Sequence, residues 1–387
     1  MKKILFGTTA LLAAGAFASA AQASDPVKLQ LGGYSENYMV GASQDGDYKD
    51  ANAVNNFDFQ SDSEVWFIGK TTLDNGMTIG VQVELEAGSN ASSQTDTIDE
   101  SYIYLEGKYG KVILGSEDDV VYLSHVGAPD ASYIGGGVTD GSINNIMPKG
   151  SGVSALDTIE ALTGDANKIS YFTPKFYGLQ AGVSYVPSND RQGDDGVAAS
   201  ETIGKIANTF DDAWAFTVNY STDLSGVGVK ATAGYITMDA NGINAEKSTS
   251  IQNVRGGLAL SYQGFTLGGS VSRLIAANGA SGLGSSSTST VNNIAAKDGF
   301  AWDAGLQYAE GPYAVSFGYE HSKVAGDRTG SDTYADWRLG AKYAMGPGVD
   351  LFAFLAYVNA ENGEAGAAAS TENDGAIGGA VGLRLNF

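Results

Sequence analysis

The segment 118–166 concentrates carboxylate side chains and contains a single Lys or Arg, Lys149. Carboxylates that line a narrow passage of low dielectric attract cations and repel anions. Segments of this length between structural elements are usually functional. We therefore interpret 118–166 as an ion filter, with a solvated surface loop as the alternative. Its acids, with Glu117 at its base, are Glu117, Asp118, Asp119, Asp130, Asp140, Asp157, Glu160 and Asp165.

Catalytic chemistry has little support in the sequence. The chain has no cysteine and only two histidines, His125 and His321, so thiolate sites are excluded and general-base candidates are few. The glycine-rich stretch 134–141 lacks the Lys-Ser/Thr pair of a phosphate-binding loop. The acidic stretch 45–50 lacks the spaced Glu of a calcium-binding loop. We expect no enzyme activity, no cofactor and no metal.

Alternating patterns identify the elements that would position the filter. In "MTIGVQVELE", every second residue from Met77 to Leu85 is apolar, and the residues between them are small or polar. A period of two is typical of a β-strand with two different faces. The chain ends in the same pattern, since Ile377 to Phe387 alternate apolar or glycine with small or polar residues. Further examples are 179–186, 214–220 and 313–320.

The connections between these strands alternate in length. Short turns lie at 74–76, 107–110, 176–178, 222–226, 262–265, 309–312 and 344–348, and long polar connections lie near 41–56, 87–98, 118–166, 188–212, 239–251, 276–298, 321–332 and 360–374. A transmembrane barrel has short turns on one side and long loops on the other. Closing the sheet pairs every backbone group. We predict an all-β fold, a 16-stranded antiparallel transmembrane β-barrel over 24–387, with its third external loop, 118–166, folded inward as a constriction.

The same alternation assigns charged side chains to the inside of the barrel. A charge on the lipid-facing side near the midplane costs about 2–4 kcal/mol, so we expect these residues to face water. Facing acids and bases would create a transverse field that orients dipolar solutes, and pairing of the bases with lumen acids is compatible with this. Lys28 and Arg384, near the seam of the first and last strands, are candidates to oppose the loop. The predicted charged wall is Lys28, Glu64, Lys70, Arg338, Lys342 and Arg384.

The start of the chain and its net charge indicate where the protein acts. Lys2 and Lys3 precede the apolar stretch 4–18, and "AQA" at 21–23 is a small-x-small cleavage site, so we predict a cleaved signal peptide over 1–23. No later stretch reaches the roughly 18 apolar residues of a membrane helix. The formal net charge of −22 disfavours nucleic acid as a partner and favours cations.

Three stretches resemble the general porins of Gram-negative outer membranes, and the similarity covers essentially the whole chain after residue 23. The stretch 63–86 resembles the family's second and third strands, 104–119 its fourth and fifth, and 167–187 the hairpin after its constriction loop. The resemblance implies a trimeric, 16-stranded channel with its third external loop in the lumen. It also implies that Phe387 is the sorting signal of an outer-membrane barrel.

The chain departs from this family at two positions. Glu64 and Ser116 stand where family members often carry Arg on the basic wall of the constriction. We therefore predict an outer-membrane porin for passive diffusion of small hydrophilic solutes and ions, selective for cations. Its expected partners are outer-membrane lipid, lipopolysaccharide and further copies of the chain in a homotrimer.

Two alternatives remain open. The first is a substrate-specific channel for a sugar or an amino acid, which an aromatic ladder through the lumen would distinguish. Phe352 and Phe354 are candidates for such a ladder, but the alternation around them is ambiguous. The second is a secreted soluble β-protein that binds glycans.

Overall fold

The computed structural model describes the strands and the residues on both sides of every long connection. The predicted signal peptide 1–23 and Asp140 lie outside the described residues. The described residues are 26–52, 54–87, 98–132, 138, 143, 145–189, 209–241, 249–276, 290–291, 294–295, 298–326, 330–363 and 368–387.

Sixteen antiparallel strands close into one barrel, which confirms the predicted fold class. Each strand pairs with its neighbours in the chain, and the last strand pairs with the first. The strands are β1 (Lys28–Ser43), β2 (Phe57–Thr72), β3 (Thr78–Glu86), β4 (Ile98–Gly107), β5 (Gly110–Ser116), β6 (Asn167–Phe172), β7 (Leu179–Ser188), β8 (Thr209–Leu224), β9 (Val227–Asn241), β10 (Thr249–Tyr262), β11 (Phe265–Ala276), β12 (Gly299–Glu310), β13 (Tyr313–Ala325), β14 (Ser331–Gly346), β15 (Val349–Glu361) and β16 (Asn373–Asn386).

Short and long connections alternate around the barrel as predicted, with one exception. The strands β13 and β14 extend to Ala325 and from Ser331, so the connection predicted to be long near 321–332 is a short one. Outside the barrel strands, three further elements with described bounds lie on the long-loop side. They are the helix α1 (Gly46–Ala51), the 3₁₀ helix Ala369–Thr371 and a separate pair of two-residue strands, Thr290–Val291 and Ile294–Ala295.

The acidic stretch 45–50 provides the N-cap and most of helix α1. The Asp45 carboxylate accepts the backbone N–H groups of Asp47 and Tyr48 at 2.9 and 3.1 Å, which caps the helix. Within the described part of the chain, no helix is both long and apolar enough to cross a membrane.

The chain ends close the barrel through the backbone. Gly33 donates its N–H to the carbonyl of Phe387 at 3.0 Å, and Phe387 donates to the carbonyl of Gly33 at 3.1 Å. Gly33 has a φ of 148°, and a Cβ there would overlap the carbonyl oxygen of Glu64. The alternating C-terminal segment is therefore held on one side by β1 and on the other by β15.

The outer face of the barrel is apolar and has aromatic residues near both ends. Tyr313 stacks on Tyr343 beside a short turn, with ring centroids 5.0 Å apart. Nearer the long connections, Trp337 contacts Tyr319 at 4.9 Å and Tyr357 at 5.3 Å. Aromatic rings at two levels, with an apolar surface between them, match the two interfaces of a membrane.

The segment 118–166 is called the constriction loop below, and its described residues fold into the barrel and lie against its inner wall. The backbone N–H of Val120 donates to the Ser184 hydroxyl on β7 at 3.0 Å, and that of Ala131 donates to the Ser316 hydroxyl on β13 at 2.9 Å. Opposite the loop, a Cβ at Gly257 on β10 would overlap the main chain of the loop. The glycine lets the loop approach the wall closely.

Apolar side chains on the inner wall mark where the loop docks. Leu156 and Leu162 of the loop bury against a patch that includes Ile236 on β9. Earlier in the loop, Met147 is buried against a second patch that includes Phe352 on β15. Removing this apolar surface from water stabilises the inward position of the loop.

Candidate pore constriction

Carboxylates face the lumen on the first four strands. The alternation of β2 places Asp62 and Glu64 on the inner face, and Glu36 on β1 lies opposite Asp62. Glu64 in turn lies opposite Glu86 on β3. Like charges directly opposite each other in neighbouring strands are unfavourable. We name these residues the acidic band, which comprises Glu36, Asp62, Glu64, Glu84, Glu86, Asp99 and Glu100.

Aromatic side chains orient two members of the acidic band. The Trp66 indole N–H donates to Oε2 of Glu64 at 2.7 Å, and the Tyr34 hydroxyl donates to Oδ2 of Asp62 at 3.2 Å. Both donors are on the inner face, because Trp66 is two positions from Glu64 on β2 and Tyr34 lies directly opposite Glu64 on β1. These hydrogen bonds hold the carboxylates in place. Three members of the band are nearly enclosed, so they act on the passage through their electric field rather than by direct contact with ions; Glu36, Glu64 and Glu84 are 2%, 9% and 9% exposed.

The acids gather in two groups of three. In the first, a carboxylate oxygen of each of Glu64, Glu86 and Asp99 lies within 4.8 Å of the other two. The second group meets the same criterion and joins Glu100 on β4 to Asp118 and Asp165, the residues near the two ends of the constriction loop. The cross-strand pairing of β4 with β5, and of β5 with β6, brings these distant parts of the chain together.

The first residues of the constriction loop are crowded with negative charge. Burial, then Asp165 and Asp119, raises the pKa of Asp118 to about 8. Burial, then Asp99, raises the pKa of Asp165 to about 6. The opposing base is Lys168, whose Nζ donates to the main-chain carbonyls of Glu117 and Gly164. Glu117 itself is 6% exposed.

Asp119 and Asp130 hold the shape of the loop. Asp119 is 1% exposed, accepts the N–H groups of Val121 and Tyr122, and accepts the Thr163 hydroxyl at 2.8 Å. The Asp130 side chain is 8% exposed and accepts both the N–H and the hydroxyl of Ser132 at 2.7 Å. We predicted that both acids line the aqueous path, and the structure corrects this, because the fold encloses their carboxylates.

Arg338 lies beneath the constriction loop rather than facing it across water. Its guanidinium is 1% exposed, 2.7 Å from Asp336 on the same strand and 3.7 Å from Asp130 of the loop. It also lies over the ring of Phe354 at 5.6 Å. The prediction that Arg338 forms part of the open charged wall is corrected by this burial.

Arg384 lies on the lumen face beside the acidic band. It forms an ion pair with Glu36, and its guanidinium lies 4.1 Å from the centroid of the Tyr34 ring. Its side chain is 20% exposed, so, unlike that of Arg338, it reaches the passage. Its position favours the alternative in which a wall base pairs with a lumen acid.

The remaining wall bases lie toward the short-turn end. Lys28 and Lys70 are opposite each other on β1 and β2, six positions from Tyr34 and next to the turn after β2. Lys342 is four residues beyond Arg338 on the same face of β14. At the short-turn side, β1 extends beyond the end of β16, and Lys28 lies in this extension. Lys28 therefore does not lie opposite the constriction loop.

Phe352 and Phe354 do not form an aromatic ladder in the passage. Both face inward on β15, but they are 1% and 3% exposed because the constriction loop covers them. Of the acidic band, the sequence pattern identifies only Glu64 as a candidate residue of the pore. The other members could have been identified from the recurrence of acids at the polar positions of β2 and β3.

Comparisons with known proteins bear on the family and the fold of the chain. The family model for Gram-negative porins matches residues 7–363. An uncharacterized protein of Rickettsia conorii is 24% identical over 351 residues, which cover 76% of each chain. An uncharacterized protein of Rickettsia typhi is 23% identical over 364 residues, which cover 78% of each chain.

Solved structures share the fold. The anion-selective porin from Comamonas acidovorans superposes with a TM-score of 0.60 at 16% identity, over 94% of this chain and 100% of that one. The outer membrane protein OmpT of Vibrio cholerae, in its trimer form, superposes with a TM-score of 0.57 at 12% identity, over 94% of this chain and 100% of that one. At such identities the likeness concerns the fold alone. Because the family model spans nearly the whole chain, the protein belongs to the family of Gram-negative porins.

Proposed function

We propose that the protein is an outer-membrane channel through which small hydrophilic solutes diffuse, and that it prefers cations to anions. The porin family and the closed barrel support a channel rather than an enzyme. The single observation that carries the cation preference is the acidic band, together with the acids at the root of the constriction loop. A ring of carboxylates is the usual device of cation-selective pores.

The charge balance around the passage favours cations. Seven acids form the band, and Asp118 and Asp165 adjoin it. On the basic side, Arg384 forms an ion pair with the band, and Lys168 lies near Asp118 and Asp165. A wall of low dielectric strengthens the field of such charges within the lumen. Glu64 contributes to this field where the general porins often place Arg.

The roles of the loop acids divide in this proposal. Glu117 and Asp118 lie at the root of the loop beside the acidic band. Because the pKa of Asp118 is raised to about 8, its charge adds to the field of the band only as the pH rises through that value. Asp119 and Asp130, the latter with Arg338, keep the loop against the wall and so set the width of the passage. Asp140, outside the described residues, remains a proposed member of the filter.

Planar bilayers test the proposal directly. Under a tenfold KCl gradient, the sign of the reversal potential reports which ion permeates more readily, and we expect the sign for potassium. A chloride sign would overturn the selectivity and leave the channel standing. The absence of single-channel steps from protein that shows the gel shift of a folded barrel would overturn the channel itself.

We also propose a homotrimer. The outer faces of β1 and β14–β16 form a shallow apolar hollow of about 690 Å³, lined in part by the small residues Gly41, Ala341, Ala353 and Gly379. A surface of this shape suits close contact with another barrel. Mass determination in detergent should give three chains, and Ala353→Trp should lower that number. Val218→Trp, which enlarges an exposed residue on the outer face of β8 on the far side of the barrel, should leave it unchanged.

The proposed location is the outer membrane, with outer-membrane lipid and lipopolysaccharide as partners. The signal peptide 1–23 would direct export and be removed, and Phe387 would serve as the sorting signal. Sequencing the N terminus of the protein from purified outer membranes should begin at Ser24. A retained leader would overturn the proposed boundary between 1–23 and 24–387.

A further inference from the structure

The root of the constriction loop gathers carboxylates from three separate parts of the chain. Glu100 comes from β4, Asp118 from the start of the loop and Asp165 from its end, and their oxygens lie within 4.8 Å of one another. All three side chains are half-buried, so one side of the group remains open to solvent. Such proximity of like charges is unfavourable unless a proton or a cation is shared among them.

A fourth carboxylate beside this group has an oxygen without a partner. Glu117 is 6% exposed, and its carboxylate lies beside that of Glu100. Its Oε2 is buried and has no hydrogen-bond partner among the described residues. Burying a polar atom in this way costs free energy, and buried polar groups without partners are rare. The oxygen of Glu117 is therefore free to accept a ligand from the side of the acidic group.

The neighbouring base does not satisfy these oxygens. The hydrogen bonds of Lys168 Nζ go to the main-chain carbonyls of Glu117 and Gly164, and none is directed at the four carboxylates. Lys168 therefore fixes the backbone at the root of the loop and lowers the local negative charge by only one unit. The group retains an excess of negative charge.

We propose that Glu100, Asp118 and Asp165, with Glu117 beside them, bind a calcium ion at the root of the constriction loop. Carboxylate oxygens are the ligands of hard divalent cations. Calcium accepts irregular sets of six to eight oxygens, whereas magnesium requires a near-ideal octahedron. Water from the lumen would complete the coordination on the open side.

A cation at this position ties the loop to the barrel. It would link both ends of the constriction loop to β4, and it would neutralise part of the negative charge at the narrow part of the path. We therefore expect bound calcium to hold the root of the loop in place and to weaken the preference for monovalent cations.

The other group of three acids provides a matched control. Glu64 accepts the Trp66 indole N–H, and Glu64, Glu86 and Asp99 have no buried oxygen without a partner in the described structure. It therefore lacks the second feature on which the proposal rests. Glu86→Gln removes one charge from the lumen face without touching the proposed site.

Equilibrium dialysis with radioactive calcium tests the site without any measurement of transport. The full barrel, purified in detergent, freed of lipopolysaccharide and treated with a chelator, should bind one calcium ion per chain. Asp165→Asn and, separately, Glu100→Gln should weaken that binding by at least about tenfold, the loss typical of a disturbed metal site. Glu86→Gln should leave the affinity unchanged.

Three outcomes would overturn the proposal. They are the absence of saturable binding, equal weakening by Glu86→Gln and the two site variants, and unchanged binding in both site variants. The gel shift on boiling shows that each variant is folded, and Glu100→Gln lies in a strand rather than in the loop, so a local disturbance of the loop would not produce both losses. Because binding is measured in detergent, its failure is distinct from failure of the proposed channel.

Discussion

Arg338 should hold the constriction loop against the barrel wall. Its guanidinium is 1% exposed and lies 2.7 Å from Asp336 on the wall and 3.7 Å from Asp130 of the loop. Arg338→Met keeps much of the side-chain volume but leaves two enclosed carboxylates without their counter-ion. Removing one partner of a buried ion pair costs about 3–5 kcal/mol.

The lost free energy shifts the equilibrium between the docked and the undocked loop. Every 1.4 kcal/mol changes an equilibrium about tenfold, so a loss of this size shifts the balance between docked and undocked loop by about 100-fold or more. Two results should follow for Arg338→Met. Single-channel conductance should increase or become noisy, because the loop no longer narrows the path continuously, and the temperature of the gel-mobility shift should fall.

Two further variants make the reasoning about Arg338 refutable. Lys342→Met removes a base from the same face of β14 and should leave conductance noise and thermal stability near those of the parent. Adding Asp130→Asn and Asp336→Asn to Arg338→Met should restore part of the stability, because the stranded charges are removed as well. If Arg338→Met conducts and melts like the parent protein, Arg338 does not hold the loop.

Three other predictions concern the loop, the lumen charge and the chain end. Gly257→Ala should destabilise the barrel by about 1–3 kcal/mol and alter conductance, because the new methyl overlaps the loop main chain. The control Gly256→Ala, whose nearest contact would be 3.7 Å away, should change neither property, and equal melting temperatures of the two variants would contradict the prediction. Glu64→Gln should move the reversal potential toward chloride, whereas Asp223→Asn, exposed beside a short turn, should not; identical shifts would refute a local role. Phe387→Ala should reduce the barrel recovered from outer membranes but still fold in detergent, since its closing hydrogen bonds are main-chain; normal recovery would count against the sorting role.

Much of the fold could be predicted because strand alternation is a local property. Ile377 and Leu385 are on the lipid side and Arg384 on the lumen side, as the period of two at the chain end indicates. The alternation failed as a guide to polarity where the constriction loop docks. Phe352 faces inward although it is apolar, because the loop, rather than water, covers it.

The candidate site was less predictable, because the sequence around a charged residue does not show whether its side chain is buried or exposed to water. Asp118 and Asp119 are adjacent in the sequence, yet the first is half-buried at the root of the loop, and the second is enclosed by hydrogen bonds from the loop itself. Glu86 and Asp99 belong to different strands and meet only through the pairing of β3 with β4.

The sequence by itself determined the number of strands, the two faces of each strand, nearly all of the alternation of connection lengths and the acidity of the long third connection. Each of these follows from the order of residues within a short stretch, since side chains alternate along any strand. Only the tertiary structure decided which charges meet and which reach water. Cross-strand register and loop docking bring Glu100 to Asp165 and cover Arg338, and both depend on contacts between residues far apart in the chain.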